Sequence, residues 1–525
     1  MHAIITVGNL YSSVRSDEPF SELLIYGLQR RLSYVVKDAF HKMRSLKKKD
    51  KNWDGEVKLF WPERGNLFYT GMLADVRDIL TESGYSIQYE FTRIRPEENV
   101  PLLEFIRPEG FLEREYQTVT VDMLYEATRG ILQAATGAGK TLMAAQLISR
   151  IKTAPFIFYV MSTDLLEQTY TELSNFLNVP IGRVGGGIVD IQDVNVVMLQ
   201  TAVRTLNRKN SQFNINLHKY DEEDEWLDLN EEEQAKGEAI EGLIRGAKGI
   251  FADECHHVAC RSFQEVLEAS KYAYWRYGGS ATPEREDGQG MMIQALFGRK
   301  IVSISASLLI KEGFLVRPYI FNVELNENHG DFEAYSSIYK NYIVENESLH
   351  ILTSKLIDKF EGDGISSLTL VKQYSHGDKI NKIRSDDKIP FIKGNQSKKK
   401  RLKALDGLRS GEVPSAIATT LADEGLDVKR LGAVIIAGGG KSVTRIYQRV
   451  GRALRIFTDP VTDIKKRLAI IIIFHHKCKY LDYHGKTIKR LLATEPAFII
   501  ADSTPEEILG HIDEVLCNEE SLFEL

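Results

Sequence analysis

From Glu56 to Phe60 apolar and polar residues alternate, the period-two pattern of a half-buried strand. Asp54-Gly55 before it and Gly84-Tyr85 further on are turn signals, and Phe68, Tyr69, Gly71 and Leu73 lie between them. Residues 1–108 are therefore expected to form a small α+β domain. From residue 109 the pattern changes to short apolar runs, each followed by a loop and a stretch of helical spacing. Gly130-Ile131-Leu132, Pro155 to Val160 and Val194 to Leu199 are runs of this kind. A second series starts near Arg317-Pro318, with Ser367 to Val371, Ala416 to Thr419, Gly432 to Ile436 and Leu468 to Phe474. Apolar strands alternating with helices predict parallel sheets. The expected class is α/β: two tandem parallel-sheet lobes, 109–315 and 316–500, behind the small α+β domain and ahead of a helical, acidic tail at 501–525.

The alternation breaks between Asn207 and Gly249, where Asp221 to Gln234 is strongly acidic. A run of like charge is usually a solvated surface segment, so 207–248 is expected to be an insertion in the first lobe. A length of 525 residues suits about three domains. The mixture of 43% apolar and 27% charged residues is that of a soluble globular chain. A net charge of −6 excludes a polycation, so any nucleic-acid contact must use local basic faces. Four cysteines without a CxxC pair argue against a disulfide scaffold or a zinc site and for a reducing compartment. No basic-then-apolar leader opens the sequence, and Leu468 to Phe474 is too short to cross a bilayer. A cytoplasmic location and no membrane partner are the expectations.

Three motifs carry candidate chemistry. Ala134-Ala135-Thr136-Gly137-Ala138-Gly139-Lys140-Thr141 follows an apolar strand and opens a helix, the context a phosphate-binding loop requires. There glycine lets backbone N–H groups converge on phosphate oxygens, and the helix N-terminus adds its dipole. Thr136, Gly137, Ala138 and Gly139 would line the loop, Lys140 would reach the outer phosphates, and Thr141 would offer a hydroxyl to Mg²⁺. Ile250-Phe251-Ala252-Asp253-Glu254-Cys255-His256-His257 ends an apolar strand in two carboxylates. Asp253 is the candidate for holding Mg²⁺ and Glu254 the candidate general base for water attack. Cys255 is expected to be a small core residue, and no cluster of partners suggests that His256 and His257 bind metal. Gln448-Arg449-Val450-Gly451-Arg452-Ala453-Leu454-Arg455 sets Arg452 and Arg455 on neighbouring faces of one helix, as candidates for a cation delivered to a γ-phosphate.

Taken in order, the phosphate loop, Asp253-Glu254-Cys255-His256, Ser280-Ala281-Thr282 and Gln448 to Arg455 resemble the superfamily 2 helicases. The resemblance covers roughly 110 to 480 and implies two RecA-like lobes that use ATP and Mg²⁺. It implies base reading by Gln117 within Arg114-Glu115-Tyr116-Gln117. It also implies strand contacts at Ser162, Thr163, Gln200 and Thr201, and a second-lobe motif at Thr419, Gly425 and Asp427. His256, Ser280, Ala281 and Thr282 would couple hydrolysis to movement, and Gln448 would join the two arginines at the nucleotide. Thr282-Pro283-Glu284-Arg285-Glu286-Asp287 is similar to the XPB-like and UvsW-like branch, with Arg285 a candidate DNA contact. Asn52-Trp53-Asp54-Gly55, Gly71-Met72-Leu73 and Gly84-Tyr85 look like the small DNA-binding domain ahead of the UvsW motor.

The basic run His41 to Lys51 lies beside Trp53, so Lys47, Lys48, Lys49, Lys51 and Trp53 are candidate DNA contacts. Lys398 to Lys403 is a second basic run. The expected function is an ATP-dependent DNA helicase or translocase. As the resemblance implies, it would move 3′ to 5′ on branched DNA in a bacterial or phage-infected cell, beside single-strand-binding or recombination proteins. The alternatives are the translocating ATPase subunit of a restriction or defence complex, and an RNA helicase.

Overall fold

The structure is a computed structural model. It describes residues 1–36, 55–108, 110, 112–210, 231–283, 289–326, 334–384, 389–419, 428–439, 450–451, 453–458, 465–518 and 523–524. The chain divides into two compact units, Met1–Ala134 with Gly139–Ser303, and Ala135–Ala138 with Ile304–Leu525.

The first unit opens on a mixed sheet. Its strands run in the order Phe60–Trp61, Leu67–Tyr69, Tyr11–Ser16, His2–Val7 and Ser86–Phe91. The last pair is parallel and the others antiparallel. Alternation along His2–Val7 turns Ala3, Ile5 and Val7 inward. Leu24 and Leu28 of helix Glu22–Arg31, and Val76, Ile79 and Leu80 of helix Leu73–Glu82, are buried in the same core.

This core does not stop at the end of the small sheet. Phe68, Tyr69 and Met72 belong to one continuous apolar cluster with Met292, Ile293, Leu296 and Phe297 of helix Gly290–Phe297. Asp75 accepts from Gln294 Nε2 at 2.6 Å and from Arg299 at 3.0 Å. The Tyr69 hydroxyl donates to the Glu268 carboxylate. Residues beyond Phe91 also lie against the first lobe. Asn99 Oδ1 accepts from Ala154 N at 2.7 Å, Ile106 N donates to Phe176 O at 2.7 Å, and Leu103 is buried.

The main sheet of this unit has the strand order Ile188–Asp190, Ile181–Gly185, Val194–Met198, Phe156–Val160, Gly249–Asp253, Trp275–Ser280, Arg129–Ala134 and Lys300–Ile304. Its centre is parallel, and a hairpin closes one edge. Phe156–Val160 is buried at every residue, which is why its sequence is apolar without alternation. The acidic insertion expected to reach residue 248 ends earlier. Helix Glu231–Gly246 starts with exposed Glu231, Glu232 and Glu233 and then buries Ile240, Leu243 and Ile244 in the lobe core. Acidic residues in its first turn suit the positive end of the helix dipole. The rest of the acidic stretch, 221–230, lies outside the described residues.

The second unit holds a sheet of seven strands among the described residues. Their order is Phe391–Ile392, Ser415–Thr419, Ser367–Val371, Ala433–Ile436, Leu468–His476, Arg317–Leu325 and Ile499–Ser503, all parallel. The segment from 501, expected to be a helical tail, begins in a strand and continues as a helix. Ile499–Ser503 is the edge strand, and helix Ile508–Asn518 buries Ile508 and Ile512 in the core.

Candidate active site

Strand Arg129–Ala134 delivers the chain to the loop that precedes helix Lys140–Ile151. Gly137 and Gly139 have φ of +89° and +85°, a conformation that favours glycine. Gly139 is also the N-cap, and a Cβ there would lie 2.6 Å from Gln117 Nε2. Gln117 is buried on helix Glu115–Ala127. Gly139 and the candidate base-reading glutamine are thus neighbours in the first unit.

Two carboxylates face Lys140 from the end of strand Gly249–Asp253. Lys140 Nζ donates to Glu254 Oε1 at 3.0 Å and lies 3.7 Å from Asp253 Oδ1. Glu254 has φ +47° and ψ +50°, a left-handed conformation that costs a non-glycine residue about 1–3 kcal/mol. Its second oxygen accepts from Ser280 Oγ at 3.2 Å and lies 3.2 Å from His256 Nδ1. His256 Nδ1 and Ser280 Oγ are themselves 3.0 Å apart. The backbone N–H of Thr282 donates to Ser280 Oγ at 3.1 Å. A chain of polar contacts thus runs from Lys140 through Glu254 to Ser280 and Thr282.

Burial by itself would lower the Lys140 pKa, but the Glu254 and Asp253 charges outweigh it and hold the ammonium above its ordinary value. Burial pushes Glu254 up, and the Lys140 charge with the His256 contact brings it well below the ordinary carboxylate range. Asp253 is raised, because burial and the neighbouring Glu254 outweigh Lys140. Asp253 Oδ1 is buried and makes no hydrogen bond among the described residues. This carboxylate oxygen and the Thr141 hydroxyl are both oxygen donors of the kind that suits a hard divalent cation. The chemistry of Lys140 and these oxygen donors fits a magnesium–nucleotide complex. Cys255 is buried, and burial raises its thiol pKa, the behaviour of a core residue and not of a nucleophile. No group of three or more metal-ligating side chains occurs among the described residues.

The structure places the other candidates as follows. Ser162 caps helix Thr163–Phe176 by accepting from Leu165 N at 3.3 Å. Gln200, near the start of helix Leu199–Asn210, donates to Met161 O at 2.5 Å, which ties these two candidate regions together. Thr201 accepts a hydrogen bond from Thr205 Oγ1 at its carbonyl. Ala281 O accepts from Gln133 Nε2 at 3.4 Å. Thr419 ends strand Ser415–Thr419 with a buried hydroxyl that makes no hydrogen bond among the described residues. The Arg455 backbone bridges that of Leu315 within the second unit. Lys47, Lys48, Lys49, Lys51, Trp53, Arg285, Gly425, Asp427, Gln448 and Arg452 lie outside the described residues.

Gln133 was not singled out from the sequence. It also accepts from Lys300 Nζ at 2.7 Å and Ser303 Oγ at 3.3 Å, and so links the phosphate-loop strand to Ala281 and to the edge strand. Its signal was a polar residue inside an otherwise apolar run, Ile131-Leu132-Gln133-Ala134.

Residues 111–285 match the family described as type III restriction enzyme, res subunit, and residues 352–457 match the helicase conserved C-terminal domain. The chain is 22% identical over 386 residues to the DNA 3′–5′ translocase XPB2 of Sulfurisphaera tokodaii, covering 65% of this chain and 78% of that protein. It is 23% identical over 442 residues to the ATP-dependent DNA helicase UvsW of Enterobacteria phage T4, covering 77% and 79%. The chain spans 61%, 52% and 58% of the length of three further relatives. In fold it is similar to a fragment described as the HsdR subunit of a type I restriction enzyme from Vibrio vulnificus. That match has a TM-score of 0.52 at 15% identity and covers 90% of this chain and 83% of the fragment.

Proposed function

Because the chain belongs to the superfamily 2 helicases, we propose that it is an ATP-dependent DNA helicase or translocase that moves 3′ to 5′ and remodels forks, junctions or R-loops. The observation that carries this proposal is the cluster of Lys140, Glu254 and Asp253 at the start of helix Lys140–Ile151, joined through Ser280 to Thr282. It unites a phosphate-binding lysine, a general base and a route by which hydrolysis is felt at the Ser280-Ala281-Thr282 segment.

In this proposal the loop from Thr136 to Gly139 cradles the phosphates, and Gln117 reads the adenine. Lys140 moves its charge from Glu254 onto the outer phosphates when nucleotide enters. Glu254, released from Lys140 and still held by Ser280 and His256, orients the attacking water and accepts its proton. Thr141 and Asp253 would hold Mg²⁺, which spreads phosphate charge when bound with the nucleotide. Arg452 and Arg455, with Gln448, act on the γ-phosphate, and Gly425 and Asp427 contact the nucleotide. An arginine of this kind contributes about 10³- to 10⁵-fold in rate. Ser162, Thr163, Gln200, Thr201, Thr419 and Arg285 contact the DNA strand. Lys47, Lys48, Lys49, Lys51 and Trp53 add grip ahead of the motor. Single-strand-binding or recombination proteins are the proposed partners, in the cytoplasm of a bacterial or phage-infected cell.

The test is steady-state ATP hydrolysis with single strands, forks, four-way junctions, RNA and RNA–DNA hybrids. DNA should stimulate hydrolysis, and branched DNA most. Stimulation by RNA alone would support an RNA helicase instead, and equal stimulation by all duplexes without strand separation would support a translocating ATPase subunit.

A further inference from the structure

Lys466 is a lysine with 1% of its surface exposed, in the second unit. It lies on the two-residue strand Lys465–Lys466, next to a sequence of ordinary basic residues. Its ammonium donates to three backbone carbonyls: Ala453 O at 2.8 Å, Leu431 O at 2.9 Å and Lys429 O at 3.1 Å. Three N–H groups meet three acceptors, a set that only the charged form can fill. Its backbone N–H donates to Phe457 O at 2.8 Å.

These carbonyls come from two separate stretches of chain. Ala453 lies between Arg452 and Arg455. Lys429 and Leu431 follow the segment that contains Gly425 and Asp427, and lead into strand Ala433–Ile436. The arginine stretch is held on its other side as well, because Val316 N donates to Leu454 O at 2.8 Å and Leu315 bridges Arg455. Successive carbonyls of one short segment are thus fixed from two directions, and one of the fixing groups also fixes the end of the other motif. Burial first, and the Arg455 charge second, bring the Lys466 pKa down to about 7, which sets the two cations in one neighbourhood. The three carbonyl dipoles act in the opposite sense and favour the ammonium.

We infer that Lys466 is a positioning residue that sets Arg455 for the nucleotide by tying the Ala453 backbone beside it to the Lys429–Leu431 backbone. The inference rests on the motor function proposed above. A buried ammonium fixed to three main-chain oxygens moves them together, so a change in one motif is passed to the other without any contact with substrate.

The experiment measures DNA-stimulated ATP hydrolysis by the full chain and by Lys466→Gln, Lys466→Arg, Arg455→Ala and the Lys466→Gln/Arg455→Ala pair. Glutamine offers two N–H donors and no charge; arginine keeps the charge in a planar fork. Lys466→Gln should lower kcat at saturating DNA by about tenfold or more and change the KM for ATP by less than about threefold. Lys466→Arg should fall between it and the parent. In the Arg455→Ala background the Gln substitution should cost less than about twofold, because the group it positions is gone. Equal fold losses in both backgrounds would make Lys466 a general structural residue and overturn the inference, as would parental kcat in a folded Gln variant. If Lys466→Gln does not fold, Lys466→Arg decides: parental kcat in it overturns the inference, and a lowered kcat at unchanged KM upholds it. A parent chain without DNA stimulation would defeat the motor proposal and this inference with it; a stimulated parent matched by both variants would defeat the inference alone.

Discussion

At the scale of single residues, the site is a balance between two carboxylates and one lysine. Removing Lys140 leaves Asp253 and Glu254 buried side by side without their cation. Lys140→Ala should therefore weaken nucleotide binding and abolish turnover, as a fluorescent-nucleotide titration and a hydrolysis assay would read together. Glu254→Gln keeps the shape and loses the proposed base. It should bind nucleotide as the parent does and hydrolyse it at least about 10²-fold more slowly. Hydrolysis near the parental rate would remove Glu254 from the role of base. The candidate residues were legible because a glycine-rich loop between strand and helix and a strand ending in Asp-Glu stand out in sequence order. The Ser280 contact to Glu254 and the bridging part of Gln133 were not, since both depend on which strands become neighbours in the sheet.

At the scale of elements, two glycines show what sequence conveys and what it hides. Gly139 was readable as a glycine of the candidate loop, and in the structure its φ is +85°. Gly139→Ala would combine a strained backbone with a Cβ 2.6 Å from Gln117 Nε2, so hydrolysis should collapse while far-ultraviolet circular dichroism stays near parental. Gly71 was visible only as part of a short pattern. In the structure a Cβ there would stand 2.1 Å from Gln294 O and 2.4 Å from Ala295 O, so its smallness lets the small sheet close on helix Gly290–Phe297. Gly71→Ala should cost about 1–3 kcal/mol, the usual range for overpacking, read as a lower urea midpoint at unchanged slope. The buried strands of both lobes were foreseen because continuous apolar runs between helices have few other solutions. Helix Glu231–Gly246 was missed because its acidic first turn hid the apolar face behind it.

At the scale of the whole molecule, the shared core changes what truncation does. A separable domain at 1–108 would be removed without harm. The continuous cluster through Phe68, Met72, Met292 and Phe297, and the Asp75 contacts to Gln294 and Arg299, predict a different outcome. A chain starting at 109 should melt at a lower temperature and expose apolar surface to a hydrophobic dye. A truncated chain with the parental melting temperature would show that the shared core adds little. The second unit has its own pH signature. His376 is buried with both ring nitrogens free of hydrogen bonds among the described residues. Burial, with the charges of His350, His476 and Lys379 after it, lowers its pKa to about 3. Between that value and the ordinary 6.5 the unfolded chain binds more protons than the folded one, so stability is lost as pH falls through this window. The loss should reach at most about 1.4 kcal/mol per pH unit, and His376→Phe should flatten the dependence of urea midpoint on pH between 6.5 and 5.

The central claim is that hydrolysis at Lys140 and Glu254 drives movement along DNA. It is tested most directly by ATP-dependent separation of a forked duplex under single-cycle conditions, comparing the full chain with Glu254→Gln. The account predicts separation by the parent with ATP and Mg²⁺ on a fork with a 3′ single-stranded arm, and none by Glu254→Gln. Separation that proceeds equally without ATP, or equally in Glu254→Gln, would contradict it.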